Sequence, residues 1–520
     1  MLDLLISGAD VVDGTGSSRY PGSVGIAGDR IAWLGHADVQ EPAAARRIEA
    51  PGRVVTPGFV DVHNHSDLGP LVEPAMASTL RQGVTTVVVG NCGISPWPVA
   101  GAVESAVMVG GDPSAMDLRF GTFADYLARL DDARPSVNVA ALVGHGSVRG
   151  EVMAWERRPP TSGELDTMRG LVADAMDGGA IGFSTGLIYA PGMYAATDEV
   201  IALAEESARH GGIYASHIRG EGEHLFRAVD EAIEVGRRAS LPAHVSHLKC
   251  ETALMWGRTA ELLTRLRDGG DVTADQYPYA AWGSVLWSLP PDWAPVHELP
   301  ALLQEPGVRD RLVRAVEEGE GEAFQSSVKG VGWDRIVIES TADARCNGMS
   351  VEAIAMARGV SPADACFQLL AEDPDTACIG HAMVEEDVRA ILADPETMVA
   401  SDAASMSPEG PFRGVPVHPR NYGTFPRVLG PCVRDGVLTL ESAVRKMTSL
   451  PADRFGLTGR GRIEEGAAAD LVLLDPETVT DRADYGTPHA YPDGIEVVVV
   501  NGRVAWDGAQ GERTGRVLRR

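Results

Sequence analysis

Residues 57–65 read PGFVDVHNH, a short apolar run that ends in two histidines separated by one residue. A proline and a glycine open it, and Phe59, Val60 and Val62 suit a buried strand. Side chains alternate along a strand, so His63 and His65 share a face at its C-terminal end. Two imidazoles so placed can grip one divalent ion.

Working outward, seven further apolar runs follow at spacings filled by helical patterns. They are TTVVVG at 85, VNVAALVGH at 137, AIGFSTG at 180, GIYASHI at 212, LPAHVSH at 241, DVTADQY at 271 and TMVASDA at 397. Between them lie stretches such as TDEVIALAEESARHG and LFRAVDEAIEVGRRA, which close in charged residues or glycine. Strands alternating with helices are the signature of a parallel sheet, and eight of them predict an α/β fold, a (β/α)8 TIM-like barrel. The interval from about 282 to 379 is too long for an ordinary connection and predicts an inserted subdomain after strand seven. Its opening, SVLWSLPPDWAPVHELP, and the later run DRIVIES read as a lid or side module.

Both ends of the chain differ from this rhythm. LLISGADVVDG, SVGIAGDRIAWLG and RRIEAPGRVVTPG are β-rich runs broken by Gly, Asp and Pro, and the tail repeats the texture at 469–474, 496–500 and 503–506, with an Asn501-Gly502 turn. The expectation is a small β-sandwich domain built from residues 1–57 and 451–520, flanking a catalytic barrel over 58–450.

Composition excludes several classes. With 45 Lys and Arg against 73 Asp and Glu, the net charge of -28 repels nucleic acid and anionic lipid, so neither is expected as a partner. An anionic small substrate then needs a local cationic pocket. The start MLDLLISGADVVDG has no signal-peptide pattern, and six widely spaced cysteines without a CxxC pair suit a reducing compartment, so the reading is cytoplasmic.

Reactive side chains of such barrels sit at the C-terminal strand ends. Here those ends carry His63, His65, Cys92, His217, His247 and Asp402. Singly, a cysteine after TTVVVG is more often core, a strand-end histidine is more often just hydrogen-bonded, and Asp402 could cap a helix. Jointly, all six lie at the ends of five separately predicted strands and share one preference. Thiolate and imidazole favour zinc over magnesium or calcium, and a carboxylate can be both ligand and general base. The set could hold one or two metals. His145 and His381 read as structural histidines.

PGFVDVHNH beside a β-rich N-terminus resembles the amidohydrolase superfamily. GVTTVVVGNCGISPWP, GAIGFSTGLIYAPGMYA, SHIRGEGEHLFRAVDEAIEVGRRASLPAHVSHLK, ADQYPY, VASDA and HPRNYGTFPRVLG resemble its N-acyl-D-amino-acid deacylase (D-aminoacylase) branch over nearly the whole chain. The resemblance implies a tight zinc on Cys92, His217 and His247 and a weaker site formed by His63, His65, Cys92 and Asp402. It further implies Asp402 as catalytic base and Lys249, Arg420 and Tyr277 as substrate-binding residues for the α-carboxylate. The implied reaction is hydrolysis of the amide of a small N-acyl-D-amino acid, by a monomer or small homo-oligomer. Trp282-Gly283-Ser284 departs from the branch pattern, which points to a different side-chain pocket, and Ala403 departs from it too, which leaves Asp402 intact and points to a different loop there. Two alternatives stay open: a hydantoinase- or deaminase-like enzyme acting on a cyclic amide or ureide, and a non-catalytic metal-binding scaffold.

Overall fold

A computed structural model describes residues 1–102, 105, 117–291, 293–294, 298–320, 324–409 and 417–520. All eight anticipated barrel strands are present, at Phe59–Asp61, Val84–Val89, Asn138–Gly144, Gly182–Gly186, Ile213–His217, Ala243–Val245, Val272–Gln276 and Thr397–Val399. Each pairs in parallel with the next in sequence order. The second to fifth are buried at every position, because helices cover them outside and side chains fill the interior.

Val60, Val62, Val88, Ala140, Leu142, Ile213, Ala215 and Met398 form one cluster with Phe455 and Leu457. A separate, larger cluster lies under the helices and includes Val87, Val89, Val139, Ala141 and Val143. The two sets alternate along the second and third strands, as inward and outward faces must. Leu225–Ala239 shows the matching helical pattern, burying Leu225, Ala228, Val229, Ala232, Val235, Gly236 and Ala239 on one stripe.

The barrel closes where the first strand meets the eighth. Asp402 N donates to His63 O at 2.8 Å and His65 N to Ala403 O at 2.9 Å. Asp61 pins the seam, since its carboxylate accepts from Ser401 N at 2.9 Å, Ser401 Oγ at 2.5 Å and Asn64 Nδ2 at 2.9 Å. A barrel without free edges holds its rim groups in fixed relation.

Strands from the two termini share one hydrogen-bonded sheet of eight: Leu2–Val11, Tyr20–Ala27, Arg30–His36, Ala44–Glu49, Val54–Pro57, Leu471–Leu474, Ile495–Val500 and Arg503–Trp506. Leu2–Val11, irregular between Ile6 and Ala9, pairs with both Ala44–Glu49 and Val54–Pro57. The sheet encloses one core, with Leu4, Val24 and Ile26 from the start and Leu471, Leu473 and Val497 from the end. Val517–Leu518 then adds itself beside the third barrel strand, in parallel with Val139 and Ala140, a contact that two residues of sequence could not announce.

The long interval after the seventh strand contains an antiparallel sheet of Trp282–Val285, Ala377–Gly380 and Ile336–Ser340. It has its own core, in which Trp282, Ile336, Ile338 and Cys378 meet Tyr277 and Tyr279. Within its Pro- and Trp-rich opening, residues 292 and 295–297 lie outside the described residues.

Replacing Asp61 by Ala strands three buried donors at the seam. An unfolding free energy lower by roughly 3 kcal/mol is expected in equilibrium denaturation, and a change below about 1 kcal/mol would contradict this role.

Candidate metal centre

The loop after the second strand brings Cys92 over the barrel mouth, and its backbone explains the GNCG sequence. Gly90 has φ +80°, and a Cβ there would lie 2.1 Å from Leu142 O; Gly93 has φ +74°, with Gly186 N 2.6 Å from its would-be Cβ. Any side chain at either place collides with backbone of the adjoining strands. Gly90 N donates to Asp67 Oδ1 at 2.7 Å, Gly93 N to Ser184 Oγ at 3.1 Å and Asn91 Nδ2 to Val88 O at 2.9 Å, so the loop is fixed on several sides.

The buried Cys92 Sγ faces His63 Nε2 at 3.3 Å, His217 Nδ1 at 3.6 Å, His247 Nε2 at 3.7 Å and His65 Nε2 at 3.9 Å. Asp402 Oδ1 lies 3.1 Å from His65 Nε2 and 3.4 Å from His63 Nε2. Six strand-end residues chosen from the sequence therefore converge. His63, Cys92, His247 and Asp402 each offer a ligand atom within 4.8 Å of the others, and His217, Glu221 and His247 form an adjoining group. Cys92, His247 and Asp402 also adopt φ of 53°, 35° and 51°. Such backbone costs non-glycine residues roughly 1–3 kcal/mol each and persists only where the surroundings impose it.

The electrostatics fit a cation. Burial alone would raise the Cys92 thiol, but the His63 charge and hydrogen bonds from His217, His247 and His63 hold it well below its usual range. Burial would likewise raise Asp402, but Arg420 and the neighbouring histidines keep it well below the usual carboxylate range. A thiolate, a carboxylate and four imidazoles turned toward one another form a soft, nitrogen-rich donor set, which suits zinc.

Carboxylates behind the rings set their orientation. Asp275, in the seventh strand, accepts from His247 N at 2.8 Å through Oδ1, and its Oδ2 lies 2.8 Å from His244 Nε2 and 3.5 Å from His63 Nδ1. Glu221 Oε1 lies 2.9 Å from His247 Nδ1 and accepts from Lys249 Nζ at 2.5 Å. With Nδ1–H directed at a carboxylate, Nε2 presents its lone pair to the centre. Sequence reasoning missed Asp61, Asp275 and Glu221. A charged residue inside a buried strand was the signal for the first two; Glu221, in a loop, carried none.

Of the residues expected to hold a substrate carboxylate, Lys249 is buried, ion-paired with Glu221, and 2.8 Å from His247 Nδ1. Arg420 opens the helix Arg420–Arg427 and places Nη1 2.8 Å from Asp402 Oδ2, while Nη2 donates to Gly283 O at 3.4 Å. Its guanidinium stands 4.9 Å over the Tyr277 ring. With Nη1 paired to Asp402, Arg420 Nε and the Tyr277 hydroxyl are the donors here that are buried without a partner. His145 instead faces Glu199 at 3.0 Å, and His381 packs edge-on to Tyr485.

For Cys92→Ala we expect zinc to be lost on dialysis against a mild chelator that leaves it in the unaltered protein. Stoichiometric zinc in the dialysed variant, measured by elemental analysis, would remove the sulfur from the centre.

The pattern that defines the amidohydrolase family matches residues 46–505. An N-acyl-D-glutamate deacylase of Alcaligenes xylosoxydans xylosoxydans is 39% identical over 100% of this chain and 97% of its own length. A solved D-aminoacylase, described through its binuclear metal centre with activation by one metal and attenuation by a second, is 38% identical with a TM-score of 0.84, covering 100% of both chains. The N-acyl-D-glutamate deacylase of Bordetella bronchiseptica, solved with zinc and a phosphonate mimic of the tetrahedral intermediate, is 34% identical with a TM-score of 0.81, again over 100% of both chains. On sequence and fold alike, the chain belongs to the amidohydrolase family.

Proposed function

We propose that this protein is a zinc-dependent hydrolase that cleaves N-acyl-D-amino acids into a carboxylate and a free D-amino acid. One observation carries the reading: unpartnered donors of Arg420 and Tyr277 are sealed into the cleft beside the thiolate and imidazoles. Buried donors left unpaired are costly unless a ligand accepts from them. A carboxylate is the matching ligand, since guanidinium can grip it with two parallel bonds. Cyclic ureides and imides carry no such group. The similarity to deacylases, and the D configuration their names state, support the same assignment.

In this reading Cys92, His217 and His247 hold the tighter zinc, and His63, His65, Cys92 and Asp402 the weaker one. Bound zinc supplies a Lewis acid that brings a water's pKa toward neutrality and polarises the amide carbonyl. Asp402 accepts the proton of the attacking water and returns it to the leaving nitrogen. Arg420 and Tyr277 bind the α-carboxylate, with Lys249 adding positive charge from behind. Arg420 Nη1 lies 2.8 Å from Asp402 Oδ2, which sets the carboxylate-binding group directly beside the base. Glu221 and Asp275 orient the imidazoles and bind no substrate.

The proposal extends to the chain's organisation: residues 1–57 and 451–520 form the terminal β domain, and 58–450 the barrel, interrupted at about 282–379. Among the described residues no helix is long and apolar enough to cross a membrane. The net charge of -28 and the six free cysteines favour a cytoplasmic protein acting on small molecules and not on nucleic acid or lipid surfaces, and a monomer or small homo-oligomer belongs to the same proposal.

The test is turnover by zinc-loaded protein of N-acetyl-D-amino acids, their L enantiomers, their methyl esters and hydantoins. A clear preference for the free D acids, with slower turnover of their methyl esters, is expected; preference for hydantoins or for the esters would overturn the assignment. For Asp402→Asn the expected loss in kcat is on the order of 10³-fold with the tight zinc retained. Arg420→Met should raise KM for the acid by about 30-fold or more and leave the methyl ester little affected. Comparable KM changes for acid and ester would take the carboxylate away from Arg420.

A further inference from the structure

His418 opens the HPRNYG stretch and belongs neither to the metal centre nor to the groups that bind substrate in the reading above, yet it is buried two residues before Arg420. Both of its ring nitrogens are engaged. Arg420 N donates to Nδ1 at 3.1 Å, and Nε2 lies 3.0 Å from Ala281 O. A backbone N–H can only donate and a carbonyl can only accept, so the two partners fix one tautomer, with the lone pair on Nδ1 and the proton on Nε2. Burial and the Arg420 charge hold the imidazole well below its usual range, in keeping with that neutral form. Tyr279 and Tyr485 pack edge-on to the ring at centroid distances of 5.3 and 5.2 Å.

The bond to Arg420 N replaces a partner that the helix cannot supply. Arg420 opens the helix Arg420–Arg427, and N–H groups of a first turn have no acceptor within their own helix. Asn421 N turns to His418 O at 3.1 Å, Tyr422 N and Gly423 N turn to Pro419 O at 3.0 Å each, and Arg420 N goes to the imidazole. The far side of the ring holds Ala281 O, next to the strand Trp282–Val285, whose Gly283 O accepts from Arg420 Nη2 at 3.4 Å. A Cβ at Gly283 would lie 3.5 Å from the His418 ring and 3.8 Å from Arg420 Nη2. One imidazole therefore ties the backbone beneath Arg420 to the same stretch of the insertion that its guanidinium touches. A fork that grips a carboxylate with two parallel bonds tolerates little displacement, and a long side chain magnifies any tilt of its base.

We propose that His418 is a positioning residue for substrate recognition: its neutral imidazole seats the Arg420 backbone on the root of the insertion and so aims the guanidinium at the substrate's α-carboxylate. The inference rests on the reading of Arg420 as the carboxylate-binding group and adds the residue that sets that group in place.

Two substitutions of similar polarity separate the two ends of the ring. His418→Asn puts a side-chain oxygen near the place of Nδ1, where it can accept from the backbone N–H two residues on. His418→Gln reaches Ala281 O but leaves Arg420 N without an acceptor. The readout is KM for N-acetyl-D-leucine divided by KM for its methyl ester in zinc-loaded protein, with zinc content and melting temperature measured alongside. For His418→Gln that quotient should rise about tenfold, near the upper end of what one hydrogen bond supplies. His418→Ala, which lacks both bonds, should match it, and His418→Asn should stay within about threefold of the unaltered protein. A merely structural cap would shift melting temperature or zinc content and raise KM for acid and ester together, which overturns the proposal. So would a quotient unmoved in both His418→Gln and His418→Ala, or one for His418→Asn as high as theirs. If Arg420→Met also leaves the quotient unmoved, the carboxylate reading of Arg420 falls and this inference with it; if Arg420→Met raises it and His418→Gln does not, this inference alone falls.

Discussion

A sulfur atom surrounded by four imidazoles is an arrangement that a folded chain does not keep without compensation. Cys92 is buried, and burying a thiolate is costly unless positive charge comes with it. The rings of His63, His65, His217 and His247 bring nitrogen atoms to within 3.3–3.9 Å of it, from the first, fifth and sixth barrel strands or their ends. Holding those strands in register is what the closed barrel does, and the hydrogen bonds between the first and eighth strands complete it. The left-handed backbone at Cys92, His247 and Asp402 is strain stored where the donors must converge, which ties the local geometry to the fold that enforces it.

Charge organises the rest. The protein carries a net charge of -28, yet its proposed substrate is an anion. The conflict is resolved locally. Arg420 is buried beside an ionised Asp402 and the Tyr277 ring, with Nε free of a hydrogen-bond partner. Lys249 contributes less than its sequence position promised, because Glu221 takes most of its charge.

Much of this architecture was legible from residue pattern. Eight apolar runs became eight parallel strands because their signal is a local periodicity, and the six ligand candidates followed because a barrel delivers strand ends to one rim. What stayed hidden depends on distances between residues remote in sequence. Glu221 is four residues after His217, in a loop with no periodicity, and only its approach to His247 and Lys249 gives it a role. The C-terminal Val517–Leu518 strand is too short to register as a pattern, and its pairing with the third barrel strand depends on how the terminal sheet sits. Asp61 and Asp275 could have been found, since a carboxylate in an apolar strand is expensive and must have partners.

The most direct test of the account is X-ray absorption at the zinc edge on protein loaded with one equivalent of zinc. The account expects one sulfur scatterer near 2.3 Å together with nitrogen or oxygen scatterers near 2.0–2.1 Å, the distances usual for thiolate and imidazole ligands. A first shell made only of nitrogen and oxygen, or four sulfurs from a site elsewhere in the chain, would contradict it.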